Sequence, residues 1–487
     1  MAAGTINSMP GARQRRLAAV AISALVVAGL FGAGAEAAPP PGQVSFSSAP
    51  SLFPEFGPTI HDYVVRCNDA PVTVQGHATG GWEAKIVDPP YQSGDFSEEV
   101  SLSAGRAFSI VVREVGRQRV YRYYVRCLPN NFPAYTYTRY RPVSPTYFTA
   151  DRDFAPADRG YAMIFDDHGV PIWWYQASAR DPRVLGDGNI LWFDRSSNRW
   201  EIHRLDGSLV RSLNAVGHSA NPHDLQVLPN GDHLAGAYVR RSNVDTSAYG
   251  GSSDATVTNT ELQQVSAGGQ LVWDWKSQDH ISLAETGRQW PWAINHGYDI
   301  EHWNSIEPAG DSVIASFRNL DALYKIRQDT GEIVWKLGGT TTPQSLRVKG
   351  DPYGYTVGAQ HDARLLPDGT LTVFDNRTNL SQKQPRAVRF RINEQEGTAS
   401  LEQSITDPGV PVSYCCGSAR RLGNGDLLIA WGGSANPIGG YKPDGERTFR
   451  LDFDSGFSYR AEPVPAGVLS ARDPRAAMRA LANAQLR

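Results

Sequence analysis

The sequence lacks an excess of charge of either sign and has few cysteines. Its 47 Lys and Arg residues nearly balance 50 Asp and Glu residues, for a formal net charge of −3 over 487 residues. This balance excludes the basic face expected of a nucleic-acid-binding protein. The sequence also lacks the H-E-x-x-H and C-x-x-C metal motifs and the G-x-x-x-x-G-K phosphate loop. It therefore predicts neither those metal sites nor a binding site for a nucleotide that carries a group to be transferred. In contrast, 47 Gly and 32 Pro in a chain that is 41% hydrophobic indicate a globular protein rich in turns.

Long hydrophobic runs are absent except near the N-terminus. Three arginines, at positions 13, 15 and 16, precede an apolar run at 17–34, and Ala35-Glu36-Ala37 follows as a small-x-small cleavage site. This order predicts a signal peptide over residues 1–37, cut after Ala37, and therefore an exported protein, periplasmic or extracellular, with no stable membrane insertion after cleavage. An uncleaved membrane anchor is the alternative, although the run is short for a membrane span. The sequence does not decide between the Sec and Tat export routes.

The four cysteines fall into two pairs. Export permits disulfides. Cys67 and Cys127 each end a short segment rich in aromatic and β-branched residues, "DYVVRC" and "YRYYVRC", and we expect a bridge between them. Cys415 and Cys416 are adjacent, and the sequence leaves open whether they form a strained disulfide or two buried thiols.

The rest of the chain divides by its patterns. Residues 38–150 contain short alternating strands separated by Pro and Gly, which predicts a small N-terminal β-sandwich. From 151 to 465 two phrases recur, a Gly turn before a strand as in "DTGEIVWKL", and an apolar Pro-x-Gly turn as in "LPDGTLTVFD". Two hairpins per unit and six units predict an all-β protein with a six-bladed β-propeller. Residues 466–487 are predicted to be a helical tail, capped by Asp473 with Pro474 in its first turn.

Three histidines share one register in the repeats. His223, His302 and His361 each lie six residues before the proline of the second phrase. Equivalent positions of successive blades surround the same part of the channel, so we expect the three imidazoles to converge at one channel mouth. The alternative is that they only tie strands together. The same position holds Arg180 in the first unit and Gly417 in the fifth, which indicates that the scaffold itself tolerates other residues there.

Neighbouring polar residues extend this set. The aspartates that follow ring positions are expected to point to the opposite side of the strand and to satisfy backbone or strand contacts; they are Asp181, Asp224 and Asp362. Arg318 and Arg377 each lie ten residues after the proline, and we expect them to project toward the same mouth, with surface salt bridges as the alternative. Asn304, two residues beyond His302, is expected on the same strand face as that histidine.

The composition of this set limits its chemistry. The ring has no carboxylate, which disfavours a hard metal ion, while a zinc site with three histidine ligands stays open as an alternative. Arginine, histidine and asparagine together suit a small oxyanion. A neutral imidazole is also a nucleophile near pH 7, since its unperturbed pKa is about 6.5. No metal and no cofactor is predicted.

The segments around these residues resemble a known family. "INHGYDIEHWNSIEPAGDSVIASFRNLDALYKI", "GAQHDARLLPDGTLTVFDN" and "GSARRLGNGDLLIAWG" are similar to the arylsulfotransferases, aryl-sulfate sulfotransferases that use no nucleotide sulfate donor (PAPS-independent). The resemblance spans most of residues 150–450. It implies a six-bladed propeller with the active site at the channel mouth. It also implies a ping-pong reaction, in which a phenolic sulfate ester donates its sulfuryl group to a histidine and the sulfohistidine then sulfates a phenolic acceptor.

The resemblance also implies roles for individual residues. His361 corresponds to the nucleophile, and Arg318, His302 and Asn304 correspond to the residues around the sulfuryl oxygens. His223 matches the remaining active-site histidine. Either His223 or His302 would be the general acid and base, and the sequence does not separate them. Arg377 stands where the family pattern has a small residue, so we expect it to narrow the site or add a charge, as a substrate-binding residue.

Two other functions are compatible with parts of the pattern. A quinoprotein-type dehydrogenase propeller is one, because "DTGEIVWKL" resembles the Gly-Trp docking turns of such proteins, which can also carry a vicinal cysteine pair. Six units instead of eight, and the lack of a carboxylate set for calcium, speak against it. A non-catalytic ligand-binding propeller is the other. The natural donor, the natural acceptor and the oligomeric state are left open by the sequence.

Overall fold

The computed structural model describes residues 39–40, 42–88, 90–153, 160–219, 221–433 and 435–484. The predicted signal peptide, residues 1–37, therefore lies outside the described residues. Strands greatly outnumber helices in these ranges, which confirms the all-β class. None of the helices found there combines the length and apolarity needed to cross a membrane.

Residues 44–127 form two sheets that share one hydrophobic core. The first has the antiparallel order β1-β3-β5, with β1 (Val44–Ala49), β3 (Val72–Ala78) and β5 (Gly94–Val100). The second has the order β2-β7-β6-β4, with β2 (Asp62–Val65), β4 (Trp82–Ile86), β6 (Ala107–Glu114) and β7 (Val120–Cys127). Successive side chains of a strand face opposite sides of the sheet, so every second one faces this core. Val74 of the first sheet and Ile110 of the second are buried in it together. A disulfide joins Cys67 to Cys127 in this core, which confirms the predicted bridge.

Six further sheets, named A to F, contain the remaining strands of the described chain. Sheet A has β9 (Tyr147–Asp151), β10 (Tyr161–Asp166), β11 (Pro171–Gln176) and β33 (Ala461–Pro463). Sheet B has β12 (Ala179–Val184), β13 (Ile190–Asp194), β14 (Arg199–His203) and β15 (Leu209–Leu213). Sheet C has β16 (Leu225–Val227), β17 (His233–Val244), β18 (Ala255–Val265) and β19 (Leu271–Lys276). Sheet D has β20 (Trp303–Ala309), β21 (Ser312–Phe317), β22 (Ala322–Arg327) and β23 (Ile333–Gly338).

The last two sheets each have five strands. Sheet E has the order β24-β28-β27-β26-β25, with β24 (Arg347–Lys349), β25 (His361–Leu365), β26 (Thr370–Asp375), β27 (Arg386–Asn393) and β28 (Thr398–Ile405). Sheet F has the order β29-β30-β31-β32-β8, with β29 (Ser418–Arg421), β30 (Leu427–Ala430), β31 (Ile438–Tyr441), β32 (Arg447–Phe453) and β8 (Tyr135–Arg139). Strands in sheets B, C and D follow one another in chain order and are antiparallel.

Tight glycine turns and apolar contacts between successive sheets hold this arrangement. Gly231 lies in the Pro-x-Gly turn between β16 and β17 of sheet C, and Gly369 lies in the same kind of turn between β25 and β26 of sheet E. Their φ angles of +86° and +76° fall in the left-handed region that glycine adopts without steric cost. Buried side chains of neighbouring sheets then share clusters, as Leu323 of sheet D does with Val373 of sheet E.

Strands from both ends of the chain complete sheets A and F. β33 lies near the C-terminus and pairs with β9, with Ala461 opposite Ala150. β8 precedes all the strands of sheets A to E and pairs with β32, with Tyr137 opposite Leu451. Sheets A and F are thus each built from segments that are far apart in sequence.

Two α-helices accompany the sheets in the described residues. α1 (Trp290–Asn295) lies in the connection between sheets C and D, and α2 (Arg472–Ala484) packs on sheet A through Met478. Asp473, the predicted cap, is the second residue of the helix and shares the capping with Ser470. Ser470 Oγ accepts a hydrogen bond from the backbone N–H of Arg472 at 3.3 Å, and Asp473 instead accepts from the N–H of Ser470 at 2.7 Å. The two side chains therefore share the capping of this helix, as in a capping box.

Arg460, just before β33, lies at the centre of a buried ion-pair network. Its side chain is 1% exposed, and Nη1 lies 2.8 Å from Asp181 Oδ2 and 3.1 Å from Asp224 Oδ1. Its Nε lies 3.4 Å from Asp362 Oδ1, and Arg364 contacts both Asp224 and Asp362, at 2.9 and 3.1 Å. Burial opposes ionisation, yet Arg364 and Arg460 hold the pKa of Asp224 well below its usual value.

The predicted role of these aspartates is therefore incomplete. They do accept backbone hydrogen bonds, as Asp224 Oδ2 does from the N–H of Ile306 at 2.9 Å. Their main partners, however, are arginines from distant parts of the chain. The sequence pattern gave no reason to bring Arg460 to the same point, because that contact depends on the pairing of β33 with β9.

We expect Arg460→Met to lower the free energy of unfolding by about 3–5 kcal/mol, because it leaves buried carboxylates short of a partner. Urea denaturation at pH 7 measures the difference. The pKa values of Asp224 and Asp362 are lowered in the fold, so their contribution is present above about pH 4 and is lost as the pH falls through the lower folded-state pKa.

Arg327→Met is the matched control. Arg327 pairs with Asp311 at 3.1 Å on the exposed surface of sheet D, and its removal should leave the unfolding midpoint nearly unchanged. Similar shifts in both variants would contradict a special role for the Arg460 network.

Candidate active site

A cavity of about 510 Å³ lies near the starts of β12, β16, β20, β25 and β33. The structure brings the three predicted histidines together in its lining, with Arg318 and the Cys415–Cys416 pair beside them. His223 precedes β16, His302 precedes β20, and His361 is the first residue of β25. The ring centroids of His223 and His302 lie 4.9 Å apart, in an edge-to-face arrangement.

His361 is a buried imidazole with a defined tautomer. Its Nδ1 faces two acceptors, Asn376 Oδ1 at 2.8 Å and the carbonyl oxygen of Ala359 at 3.0 Å, so Nδ1 must carry the proton. Nε2 is then unprotonated, and the backbone N–H of Cys416 donates to it at 3.2 Å. Burial and the nearby Arg318 guanidinium lower the pKa of His361 to about 3. The ring is therefore neutral near pH 7 and has its lone pair on Nε2.

His302 has a carboxylate partner. Its Nδ1 lies 2.5 Å from Asp299 Oδ2, and its backbone N–H donates to Asp299 Oδ1 at 3.0 Å. Its φ angle of +49° is unusual for a residue with a side chain, and the Asp299 contacts fix this conformation. The Asp299 carboxylate at Nδ1 orients this ring and gives it a negatively charged partner.

His223 has only an amide partner. Its Nδ1 lies 2.8 Å from Asn221 Oδ1, which also accepts from the backbone N–H of His223 at 3.0 Å. Burial, His302 and Arg180 lower the pKa of His223 well below its usual value. His223 and His302 are thus adjacent but chemically different, because only one of them has a carboxylate at Nδ1.

Arg318 supplies positive charge to the cavity. It forms a short helical turn directly after β21, where its backbone N–H donates to the carbonyl of His302 at 2.9 Å. Nη1 donates to Asn319 Oδ1 at 2.7 Å, and the guanidinium lies 4.7 Å from the ring centroid of Trp292. Burial lowers its pKa, but an arginine stays protonated at neutral pH. The guanidinium is therefore held by a neutral amide and an aromatic ring in the same cavity as His361.

Arg180, Trp292 and Tyr459 are among the further residues that line the cavity and that sequence reasoning did not select. Arg180 pairs with Asp153 through Nε at 3.1 Å and Nη2 at 2.9 Å, and lies 4.7 Å over the ring of Tyr459. Trp292, on α1, lies edge-to-face with His302 at 6.1 Å. A signal existed for Arg180, because it occupies the histidine register in the first unit. No repeat pattern pointed to Trp292 or Tyr459.

Asn304 and Arg377 lie outside the cavity lining. Asn304 is fully buried, and its Nδ2 donates to the carbonyl of Gln360 at 2.7 Å, immediately before His361 in the chain. Arg377 is 2% exposed, with Nη1 3.0 Å from Asp375 Oδ2 and Nε donating to the carbonyl of Gln382 at 2.8 Å. Arg377 shares Asp375 with Arg386 and does not project into the cavity as expected.

The cysteines at 415 and 416 are joined in a vicinal disulfide at the cavity wall. Gly417 follows, at the histidine register of the fifth unit, with φ at +94°. A Cβ at this position would lie 2.5 Å from the ring of Phe374, which is closer than atoms approach in proteins. Position 417 therefore has no side chain, and the Cys415–Cys416 turn lines the cavity beside it.

Comparison with known proteins identifies a family. A family model described as arylsulfotransferase (ASST) matches residues 142–450. No curated protein matches the chain. Among solved structures, a catalytically inactive variant of virginiamycin B lyase from Staphylococcus aureus with quinupristin is 11% identical, covers 69% of this chain and 90% of its own, and has a TM-score of 0.35. Hsv2 from Kluyveromyces lactis is 12% identical, covers 83% and 99%, and has a TM-score of 0.32. These structural likenesses are weak, and we draw no inference from them.

We expect the imidazoles of His361 and His223 to stay neutral between pH 5 and 8, because burial lowers both pKa values. Long-range ¹H–¹⁵N NMR spectra of histidine-labelled protein should show His361 with its proton on Nδ1 throughout. His361→Asn and His223→Asn assign the two signals by their disappearance. A titration midpoint for His361 inside this range, or a proton on Nε2, would contradict the geometry.

Proposed function

The chain belongs to the arylsulfotransferase family, and on that premise we propose that it moves a sulfuryl group from a phenolic sulfate ester to a phenolic acceptor. We propose a ping-pong mechanism through a sulfohistidine, with no nucleotide donor. The supporting observation is the state of His361, whose neutral imidazole directs an unprotonated Nε2 toward a cavity that also contains Arg318.

In the first half-reaction the lone pair of Nε2 attacks sulfur, and the bond between sulfur and the aryl oxygen breaks. The phenolate leaves with the bonding electrons and takes a proton from an acid. By analogy with phosphoryl transfer, the transition state is loose, so positioning and fixed positive charge supply most of the catalysis. Arg318 is well placed for that purpose, because its guanidinium lies within the cavity near His361.

The hydrogen bonds at Nδ1 support the covalent intermediate. Once Nε2 is bonded to sulfur, the imidazole keeps its Nδ1 proton and carries a positive charge. The oxygens of Asn376 and Ala359 accept from that proton, and they stabilise this charge without removing it. In the second half-reaction the acceptor phenol loses its proton to a base. Its oxygen then attacks sulfur, and the N–S bond breaks with its electrons returning to Nε2.

We assign the acid and base role to His302. A general acid must carry a proton in the first half-reaction and accept one in the second, and the Asp299 carboxylate at Nδ1 stabilises the protonated form. His223 lacks such a partner, and its lowered pKa keeps it neutral. We propose that His223 donates a hydrogen bond to bound substrate, since its ring lines the cavity next to His302.

Aromatic side chains at the cavity suit the aryl groups of both substrates. Trp292, Tyr414 and Tyr459 all contribute to its lining, and Tyr414 is 60% exposed at the rim. Aromatic rings gain from stacking or edge-to-face contact beyond the area that they bury. We therefore propose small phenolic compounds as donor and acceptor.

The same proposal includes the arrangement of the chain. We propose that sheets A to F are six propeller blades around a channel, and that the two sheets of residues 44–127 are a β-sandwich. The blades extend beyond the predicted span of 151–465, because sheets F and A include β8 (Tyr135–Arg139) and β9 (Tyr147–Asp151), so the N-terminal domain ends before β8 and not at residue 150. Sheets of four or five strands in chain order, completed by strands from both ends, support this architecture. Export through a signal peptide at 1–37 completes the proposal, with a helical tail from 466.

We expect His361→Asn to reduce release of 4-nitrophenol from 4-nitrophenyl sulfate, with phenol as acceptor, by at least about 10³-fold, because Asn cannot replace the nucleophile. Absorbance follows the reaction, and mass spectrometry of the wild type with donor alone should locate one SO₃ group on the His361 peptide. His77→Asn, an exposed histidine of β3, is the matched control and should keep full activity. Full nitrophenol release by the His361 variant would refute the mechanism.

We expect His302→Gln to slow transfer from phenyl sulfate by about 10²–10⁴-fold, the usual contribution of a general acid. Transfer from 4-nitrophenyl sulfate should slow much less, because nitrophenolate leaves with little need of a proton. His223→Gln serves as the comparison, and its loss should be similar for the two donors. Stopped-flow measurement of the first half-reaction gives both rates. An equal loss for both donors in His302→Gln would assign the acid elsewhere.

A further inference from the structure

The vicinal disulfide encloses the peptide bond that contacts the nucleophile. The Cys415 and Cys416 side chains close a small ring, and the N–H inside that ring is the one that donates to His361 Nε2 at 3.2 Å. Cys416 has φ at +65°, in the left-handed region that side-chain-bearing residues rarely adopt. The direction of this N–H is therefore tied to a covalent ring and to an uncommon backbone conformation.

A second path of hydrogen bonds joins the same two residues. His361 Nδ1–H donates to Asn376 Oδ1 at 2.8 Å, and Asn376 Nδ2 donates to the carbonyl of Cys416 at 3.1 Å and to Ser413 Oγ at 2.9 Å. Both nitrogens of the imidazole are thus connected to Cys416, one directly and one through Asn376. All of these groups are buried or at the cavity wall.

The turn is also packed from beneath by glycines. The N–H of Gly433 donates to the carbonyl of Cys415 at 2.9 Å, and a Cβ on Gly433 would lie 2.9 Å from Cys415 Sγ. A Cβ on Gly432 would lie 2.3 Å from the carbonyl oxygen of Cys415. The "WGG" segment after β30 therefore leaves just enough room for the disulfide turn.

We infer that the Cys415–Cys416 disulfide is a positioning element for sulfuryl transfer. In the resting site the Cys416 N–H holds Nε2 of His361 in place. When Nε2 bonds to sulfur and the aryl oxygen leaves, Nε2 has no lone pair to accept this hydrogen bond, and the N–H donates instead to an oxygen of the transferred group. The proton stays on the Cys416 nitrogen throughout. This inference rests on the proposed function of His361.

The interaction with the sulfuryl oxygen exists only once transfer has begun. A donor used in this way acts like an oxyanion-hole group, which lowers the barrier without strengthening substrate binding. Opening the disulfide ring frees the Cys415–Cys416 peptide to rotate. The chemical step should therefore slow, while the affinity for the donor should change little.

The test is reduction of the wild type with the phosphine TCEP, which converts the disulfide to two thiols. We expect kcat with 4-nitrophenyl sulfate and phenol to fall by about 10- to 100-fold, the range for a misplaced catalytic donor. KM for the donor should stay within about twofold, and reoxidation should restore kcat. Mass spectrometry after thiol alkylation reports which cysteines have been reduced.

Two double variants locate the effect. Cys67→Ala/Cys127→Ala leaves only the vicinal pair reducible and should respond to TCEP as the wild type does. Cys415→Ala/Cys416→Ala should have a permanently low kcat that TCEP does not change. Thermal melts of every sample distinguish a local effect from unfolding, and the reversible response of the wild type does not depend on either variant folding.

The outcomes separate this inference from the proposed function. If the oxidised wild type releases no nitrophenol, the proposed function fails. If it turns over normally and verified reduction of Cys415 and Cys416 leaves kcat unchanged, the inference is overturned and the function stands. A rise in KM with kcat unchanged would also overturn it, since that would place the disulfide in substrate binding.

Discussion

The buried ion pairs of Arg460 fix the direction of the cavity side chains. Its partners Asp181, Asp224 and Asp362 directly follow Arg180, His223 and His361 in the chain, so holding each aspartate also sets its neighbour. Asp181 and Asp362 have φ angles of +55° and +60°, a costly conformation that the ion pairs sustain. Arg460 itself follows Tyr459, another cavity residue. One residue of each pair thus faces the cavity, and the next joins the network beneath it. Because Arg460 precedes β33, this layer is complete only when β33 pairs with β9.

The buried arginines at the cavity and in the network beneath it differ in how their charges are balanced. In the network beneath the cavity, the arginines have carboxylate partners, as Arg364 has in Asp224 and Asp362. At the cavity Arg180 is also paired with a carboxylate, that of Asp153, whereas Arg318 is held by an amide and an aromatic ring. The same burial and positive charge keep His361 neutral, so that its Nε2 keeps a lone pair. Asp299 gives His302 a carboxylate partner at Nδ1, where His361 and His223 have amide oxygens.

The sequence predicted the parts of this arrangement that follow a repeat, and missed those that depend on tertiary pairing. The proline register was sufficient to select three histidines on three sheets, because equivalent strands start at equivalent places. Arg180 occupied that register too, but its residue type led us to treat it as evidence of tolerance. Tyr459 lies before a strand that comes from the far end of the chain and lacks the Pro-x-Gly phrase. Trp292 lies on a helix between sheets, where no periodicity applies. Arg377 was expected at the mouth by register alone, but β26 ends at Asp375, and the chain turns at Arg377 with φ at +57°, where its side chain pairs back to Asp375.

Sheet F differs from the other five sheets at the cavity, because a glycine, Gly417, stands where they have a side chain. The other five sheets each place a side chain at the cavity near the start of one strand: Arg180, His223, His302, His361 and Tyr459. The ring of Phe374 from sheet E occupies the space that a Cβ at position 417 would need. Without a Cβ, the chain turns there with φ at +94°. That turn carries the preceding residue, Cys416, toward His361, whose sheet is the immediate neighbour of sheet F in the chain. A side chain at 417 would displace either Phe374 or the turn. Gly417 and the vicinal disulfide therefore act together: where the other sheets have a side chain, sheet F presents the backbone N–H of Cys416, which donates to Nε2 of His361.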